Sequence, residues 1–198
     1  VASGSQKGYM IPPGLSFIAM SQKAWEAAEK SNLPKFYLNL KSYRKSLLTN
    51  SNPYTPAVNL VFALDEALKM MREEGLDNIF QRHNKHKLAM SNAVKALNLK
   101  LFADEKYLSP SITAIKTEGI DAEEFRKTIK NNFDILLAGG QDHLKGKIFR
   151  VGHLGYVNDR DIITVVSAMS NTLLKLGKIS AQQAGEALVV ASRYLEEN

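Results

Sequence analysis

The sequence predicts an α/β layered protein, on three observations. Apolar residues recur at helical spacing over Ala57–Ala96 and again toward the C-terminus. Short β-rich runs lie between turn signals from Leu99 to Gly152. Helical and strand patterns alternate, which packs helices against a sheet.

Taken in order, Val1-Ala2 reads as the end of a strand, and Ser3–Gly8 as a loop whose Gly and Ser residues supply unusual backbone angles. Pro12-Pro13-Gly14 is a turn, and Leu15–Met20 is expected to be a buried strand. Ser21 is expected to cap a helix that Asn32-Leu33-Pro34 ends. Phe36–Leu48 fits a strand or a helix, and Asn50–Pro56 is a polar loop. Val58, Val61, Phe62, Leu64, Ala67, Leu68 and Met71 form one helical stripe, closed by Gly75. A second helix runs from about Asp77 to Ala96, with Ile79, Leu88, Val94 and Leu97 inward. Strands are expected at Leu99–Phe102, Ile112–Ile115, Ile135–Leu137 and Lys147–Gly152, with a helix over Asp121–Asn131. Asn158-Asp159 and Ser180 begin the last two helices, which end near Leu176 and Leu195. The incomplete upstream piece and the complete-looking downstream unit put a domain boundary near 50–60: residues 1–55, then 56–198.

Composition narrows the function. The 198 residues are 44% hydrophobic and 23% charged, as in an ordinary globular protein. The net charge of +6 is spread along the chain without a dense basic, aromatic-rich tract, which speaks against a nucleic-acid binder. With no cysteine, this chain offers no disulfide, thiolate metal site, cysteine nucleophile or iron–sulfur ligation. A reducing compartment is compatible, and no apolar run reaches the ~18–20 residues of a membrane span.

Lys7 is the first chemical candidate. On residue chemistry it reads either as a surface loop lysine or as a nucleophile among small polar groups, flanked by Gly4 and Gly8. Arg150 reads as a strand arginine able to grip a carboxylate through two parallel hydrogen bonds, or as half of a surface ion pair. His153, between two glycines, reads as structural. His83 and His86 lack an evident third metal ligand and are expected on a solvated face with Lys85 and Lys87. Asp65-Glu66 and Glu73-Glu74 point apart on a helix and form no catalytic pair.

Three blocks carry a resemblance: Ser3-Gly4-Ser5-Gln6-Lys7 with Pro12-Pro13-Gly14, Asn52-Pro53-Tyr54-Thr55-Pro56-Ala57, and Gly139-Gly140 with Lys145–Gly155. Together they resemble class V aminotransferases, in particular the alanine–glyoxylate and serine–glyoxylate branch, with bacterial relatives labelled as a soluble hydrogenase subunit. The resemblance implies an α/β chain of fold type I, comprising the end of the large domain and a small C-terminal domain with a short, largely antiparallel sheet covered by helices. It implies a cytoplasmic, pyridoxal 5′-phosphate-dependent homodimer with shared active sites, moving an amino group from alanine or serine to a 2-oxo acid such as glyoxylate. Lys7 matches the lysine that forms the Schiff base with the cofactor and moves the substrate proton. Gln6 matches a phosphate-binding residue, Thr55 a phosphate ligand supplied to the neighbouring subunit, and Arg150 the clamp on the substrate α-carboxylate. Asn52 stands where some members have a tyrosine, and Tyr54 is out of register for that contact. No metal ligand is implied. The family's pyridinium-binding aspartate, glycine-rich helix start and ring-stacking aromatic stand upstream of the lysine. Only six residues precede Lys7, so the chain is expected to be the C-terminal half of such an enzyme, inactive without the rest; a non-catalytic binding or assembly fragment is the alternative.

Overall fold

A computed structural model describes residues 1–196. The chain divides into two compact units, Val1–Glu73 and Glu74–Asn198. The division falls at the end of the third helix, whereas the sequence pattern grouped that helix with the second domain. That helix buries only Ala67, and Val58, Val61 and Phe62 of its apolar stripe stay exposed.

The first unit opens with strand β1 (Ala2–Gly4), paired antiparallel with β2 (Ser16–Ile18). The expected strand is therefore present but not buried: Ile18 is 53% exposed, because these two strands form a sheet of their own with no further strand. Helix α1 (Gln22–Lys30) starts where Ser21 Oγ accepts the Ala24 N–H, satisfying one of the open donors of its first turn. The ambiguous stretch resolves as a helix, α2 (Leu40–Leu47), because Asn39 caps it through the Lys41 N–H. Helix α3 (Val58–Glu74) follows the polar loop.

The second unit begins at α4 (Leu76–Ala96), with Gly75 at φ 84° as its N-cap. Four strands follow: β3 (Lys100–Leu101), β4 (Ile112–Lys116), β5 (Ala138–Gly139) and β6 (Ile148–Gly152). They form one antiparallel sheet in the order β3-β4-β6-β5. Helix α5 (Ala122–Phe133) joins β4 to β5; α6 (Asp159–Lys175) and α7 (Ala181–Glu196) close the unit. Ile115, Phe149 and Val151 of the sheet share one core with Met90, Val94, Phe125, Ile162, Met169, Leu173 and Ala187. Burying such side chains contributes about 1.5–3 kcal/mol each, which holds helices and sheet together.

Three expectations are corrected here. The strand expected at Ile135–Leu137 pairs later, at Ala138–Gly139: Asp134 leaves α5 through a left-handed φ of 55°, and the intervening residues run to the sheet edge before pairing. Leu88 points outward, at 37% exposure. His83 and His86 are buried rather than solvated, because their face of α4 meets the loop after β6 and the start of α6. No helix among the described residues is long and apolar enough to cross a membrane.

Candidate functional site

The loop between β1 and β2 is built around Ser5, which is fully buried. Its N–H donates to the Leu15 carbonyl at 3.0 Å and its hydroxyl to the Pro12 carbonyl at 2.7 Å. The same oxygen accepts the Leu15 N–H at 3.2 Å. Buried polar groups persist when they are paired in this way, so Ser5 staples both ends of the loop. The Lys7 N–H donates to the Gly4 carbonyl, the Met10 N–H to the Lys7 carbonyl, and the Tyr9 and Phe17 rings pack 4.5 Å apart. A side chain on Gly4 would meet Gln6 Oε1 at 2.7 Å, so the Gln6 amide lies back over the glycine. Gln6 and Lys7 share the exposed tip. Among the described residues no carboxylate pairs with Lys7. At the far end of the loop, a Cβ on Gly14 (φ 142°) would lie 2.5 Å from Leu60, so only glycine lets this turn rest on α3.

Thr55 is exposed in the turn leading into α3. The neighbouring Tyr54 is committed elsewhere: its hydroxyl donates to the Phe36 carbonyl at 3.2 Å and its ring packs on Phe36, Tyr37 and Tyr43.

Arg150 lies at the middle of β6, opposite Ala114 of β4 and Ala138 of β5. Its neighbours Phe149 and Val151 point into the core, so the strand's period of two puts Arg150 on the other face, half-buried. Its Nε–H donates to the Gly139 carbonyl at 2.9 Å. No carboxylate of the described residues pairs with the guanidinium. The ion-pair alternative for Arg150 is absent among those residues.

The segment after Arg150 is anchored by buried imidazoles whose partners the sequence did not reveal. His153 is fully buried; its Nδ1–H donates to the Pro110 carbonyl at 3.1 Å and its Nε2 accepts from Thr113 Oγ1 at 2.9 Å. Burial pushes its pKa down to about 4, so it is neutral near pH 7. His83 Nδ1–H donates to the Ile79 carbonyl, and its Nε2 accepts the Gly155 N–H at 3.0 Å. Arg82 adds hydrogen bonds from Nη1 to the Gly155 and Val157 carbonyls at 2.9 and 2.8 Å and grips Glu74 through Nε and Nη2. The Arg82 hydrogen bond holds the Glu74 carboxyl below the usual range. His86 is fully buried and donates from Nε2 to Asp159 at 2.8 Å. Burial pushes it below the ordinary imidazole value despite the Asp159 carboxylate. Asp159 is itself raised by burial, but hydrogen bonds from His86 and Lys85 outweigh that and leave it lowered. These histidines are structural, and no group of three or more metal-ligating side chains occurs among the described residues.

The sequence-predicted residues thus fall into two sets. Gln6, Lys7 and Thr55 belong to the first unit, and Arg150 to the second. The first set offers an amine and polar groups at exposed turns, the second a guanidinium fork with an anchored stem.

Comparison with known proteins identifies what the chain is similar to. The chain is similar to the small subunit of a soluble hydrogenase from Synechococcus, 55% identical over 195 residues, covering 98% of this chain and 50% of that protein. It is 36% identical to a serine–glyoxylate aminotransferase from Methylorubrum extorquens over 204 residues, covering 99% of this chain and 50% of that one. Among solved structures, its fold matches the ureidoglycine–glyoxylate aminotransferase of Bacillus subtilis with a TM-score of 0.87 at 28% identity, over 97% of this chain and 51% of that one. No protein-family model matches. The chain spans about half the length of the curated relatives it matches.

Proposed function

The chain belongs to the class V aminotransferase family, and on that premise we propose that it contributes the lysine and the carboxylate clamp of a pyridoxal-phosphate-dependent aminotransferase. The donor is a small amino acid, alanine or serine, and the acceptor a 2-oxo acid such as glyoxylate. The observation that carries the reading is Arg150, a half-buried guanidinium with its stem tied to Gly139 and its two terminal nitrogens unpaired among the described residues.

The residues present fit the cofactor. Lys7 is exposed at the tip of a loop that Ser5 holds rigid, and no carboxylate of the described residues competes for its amine. The Gln6 amide and the Thr55 hydroxyl are exposed and suited to phosphate oxygens, Thr55 for the neighbouring subunit of a homodimer. Bound there, pyridoxal phosphate supplies an electron sink that acidifies the substrate α-carbon. Arg150 binds the substrate α-carboxylate through Nη1 and Nη2, which fixes the α-carbon in space. The Lys7 amine then takes the α-proton and returns it on the product side.

Incubation with pyridoxal phosphate, borohydride reduction and peptide mapping tests the reading. The label is expected on Lys7, both in the chain and in any longer polypeptide that contains it. Equal labelling of a Lys7→Ala variant at the same peptide, or full transamination by an Arg150→Ala variant of the longer polypeptide, overturns it. The exposed apolar side chains of the first unit, Phe36 at 80% and Leu48 at 83%, favour a second reading as a binding or assembly piece. That reading predicts no labelling at Lys7 even with the remaining half supplied.

A further inference from the structure

The Arg150 anchor is itself built on an edge. Strand β5 is only two residues long and pairs with β6 on one side alone. Short edge strands hold weakly unless something covers them. The Gly139 carbonyl, which receives Arg150 Nε–H, sits on this strand.

Helix α5 covers it. Arg126 Nε–H donates to the Leu137 carbonyl at 2.8 Å, immediately before β5. Its Nη1 donates to Glu123 Oε2 at 2.7 Å, an i,i+3 pair on one helix face. Glu123 is placed in turn by the N-cap: Asp121 accepts the Glu123 N–H at 2.8 Å. The pair also lies directly on Gly139. A Cβ there would be 2.6 Å from Arg126 Nη1 and 2.8 Å from Glu123 Oε1, so a side chain at this position would push the ends of the pair off the strand. The conformation of Gly139 is not left-handed, so the effect of a side chain there is one of space alone.

We propose that Glu123 and Arg126 are positioning residues for Arg150. Acting through β5, they hold the Gly139 carbonyl where it engages Arg150 Nε–H, and so present the guanidinium to a carboxylate end-on, through Nη1 and Nη2. A fork with its stem fixed loses less freedom on binding than a free arginine does. The inference rests on reading Arg150 as a carboxylate clamp, and the two can fail separately.

The test is NMR on the 198-residue chain, ¹⁵N-labelled at arginine, with the Arg150 Nε–H signal assigned by its loss in Arg150→Lys. Its hydrogen exchange is measured in wild type, Arg126→Leu, Glu123→Gln and Gly139→Ala, with exposed Lys127→Leu as control. Arg126→Leu and Gly139→Ala are expected to speed exchange about tenfold, and Glu123→Gln about threefold, as expected for losing or loosening one hydrogen bond. The control is expected to match wild type. If Arg126→Leu does not fold, the other two variants carry the measurement. An unprotected Arg150 Nε–H in wild type, or unchanged exchange in the folded variants, overturns the brace. Titration with pyruvate then separates brace from clamp. If both hold, pyruvate shifts the Arg150 side-chain signals in wild type, and about fivefold more is needed in the variants. Exchange accelerated as above, with no pyruvate effect on wild-type Arg150, overturns the carboxylate part and leaves the brace standing.

Discussion

Acidification should destabilise the second unit through His153. The imidazole is fully buried, and its two nitrogens are committed to Pro110 and Thr113. Its pKa is held down to about 4 against 6.5 ordinarily. The folded chain therefore refuses a proton that the unfolded chain accepts. Above pH 6.5 neither form is charged and the stability is intact. Between 6.5 and about 4 the unfolded state gains, and the stability falls with pH. At about 1.4 kcal/mol per pH unit the full loss is roughly 3 kcal/mol, with about 2–3 kcal/mol of it reached by pH 4.5. His86, also lowered by burial, acts in the same direction. The perturbation is His153→Gln, which keeps polar character without titrating. Urea unfolding is followed by far-UV circular dichroism from pH 7.5 to 4.5. The single tryptophan, Trp25, lies in the first unit and would report on the wrong part. The variant is less stable at pH 7.5, having lost the fitted imidazole, but its stability should fall less steeply with acid. The wild-type advantage should shrink by about 2–3 kcal/mol over this range. A wild-type-minus-variant difference that stays constant with pH would refute the reasoning.

Three further outcomes follow from packing. Gly140→Ala should cost about 1–3 kcal/mol by thermal melt, since the new Cβ would lie 2.1 Å from the backbone carbonyl oxygen of Leu144 and only the main chain can yield. Asp159→Ala should cost about 1–3 kcal/mol in urea unfolding, because it leaves the buried His86 Nε2–H without an acceptor, and His86 Nδ1 is already unpaired. Arg82→Leu should raise amide hydrogen exchange over Gly152–Asn158 about tenfold or more while leaving the interior of α7 unchanged, because two carbonyls of that segment lose their donor.

Much of the fold was legible in the sequence because it is written in local chemistry. Ser21, Asn158 and Asp121 announce helix starts through caps that a residue makes with its own next turn. The α3 and α4 patterns are visible because helical spacing is short-range. The candidate residues Gln6, Lys7, Thr55 and Arg150 were legible as well, through the blocks of sequence around them. His83 and His86 were not, whereas His153 was rightly read as structural. His83 sits beside lysines on α4 and looks solvated until Gly155, 72 positions later, folds over it. The apolar run before β5 misled for a related reason: Leu137 is buried, but its carbonyl turns to Arg126 rather than to a strand.

By itself the sequence determined every helix but α2, several of their caps, the strand-rich middle, the family resemblance and the four residues on which a mechanism can be argued. Tertiary structure alone decided which of these residues have partners. Ser5 became the staple of the Lys7 loop, Gly139 the acceptor for Arg150, and His83 and His86 buried groups rather than solvated ones. The reason is range: a cap or an amphipathic stripe is settled within a few residues, whereas the environment of Arg150 depends on a carbonyl contributed by a separate strand and held by a separate helix.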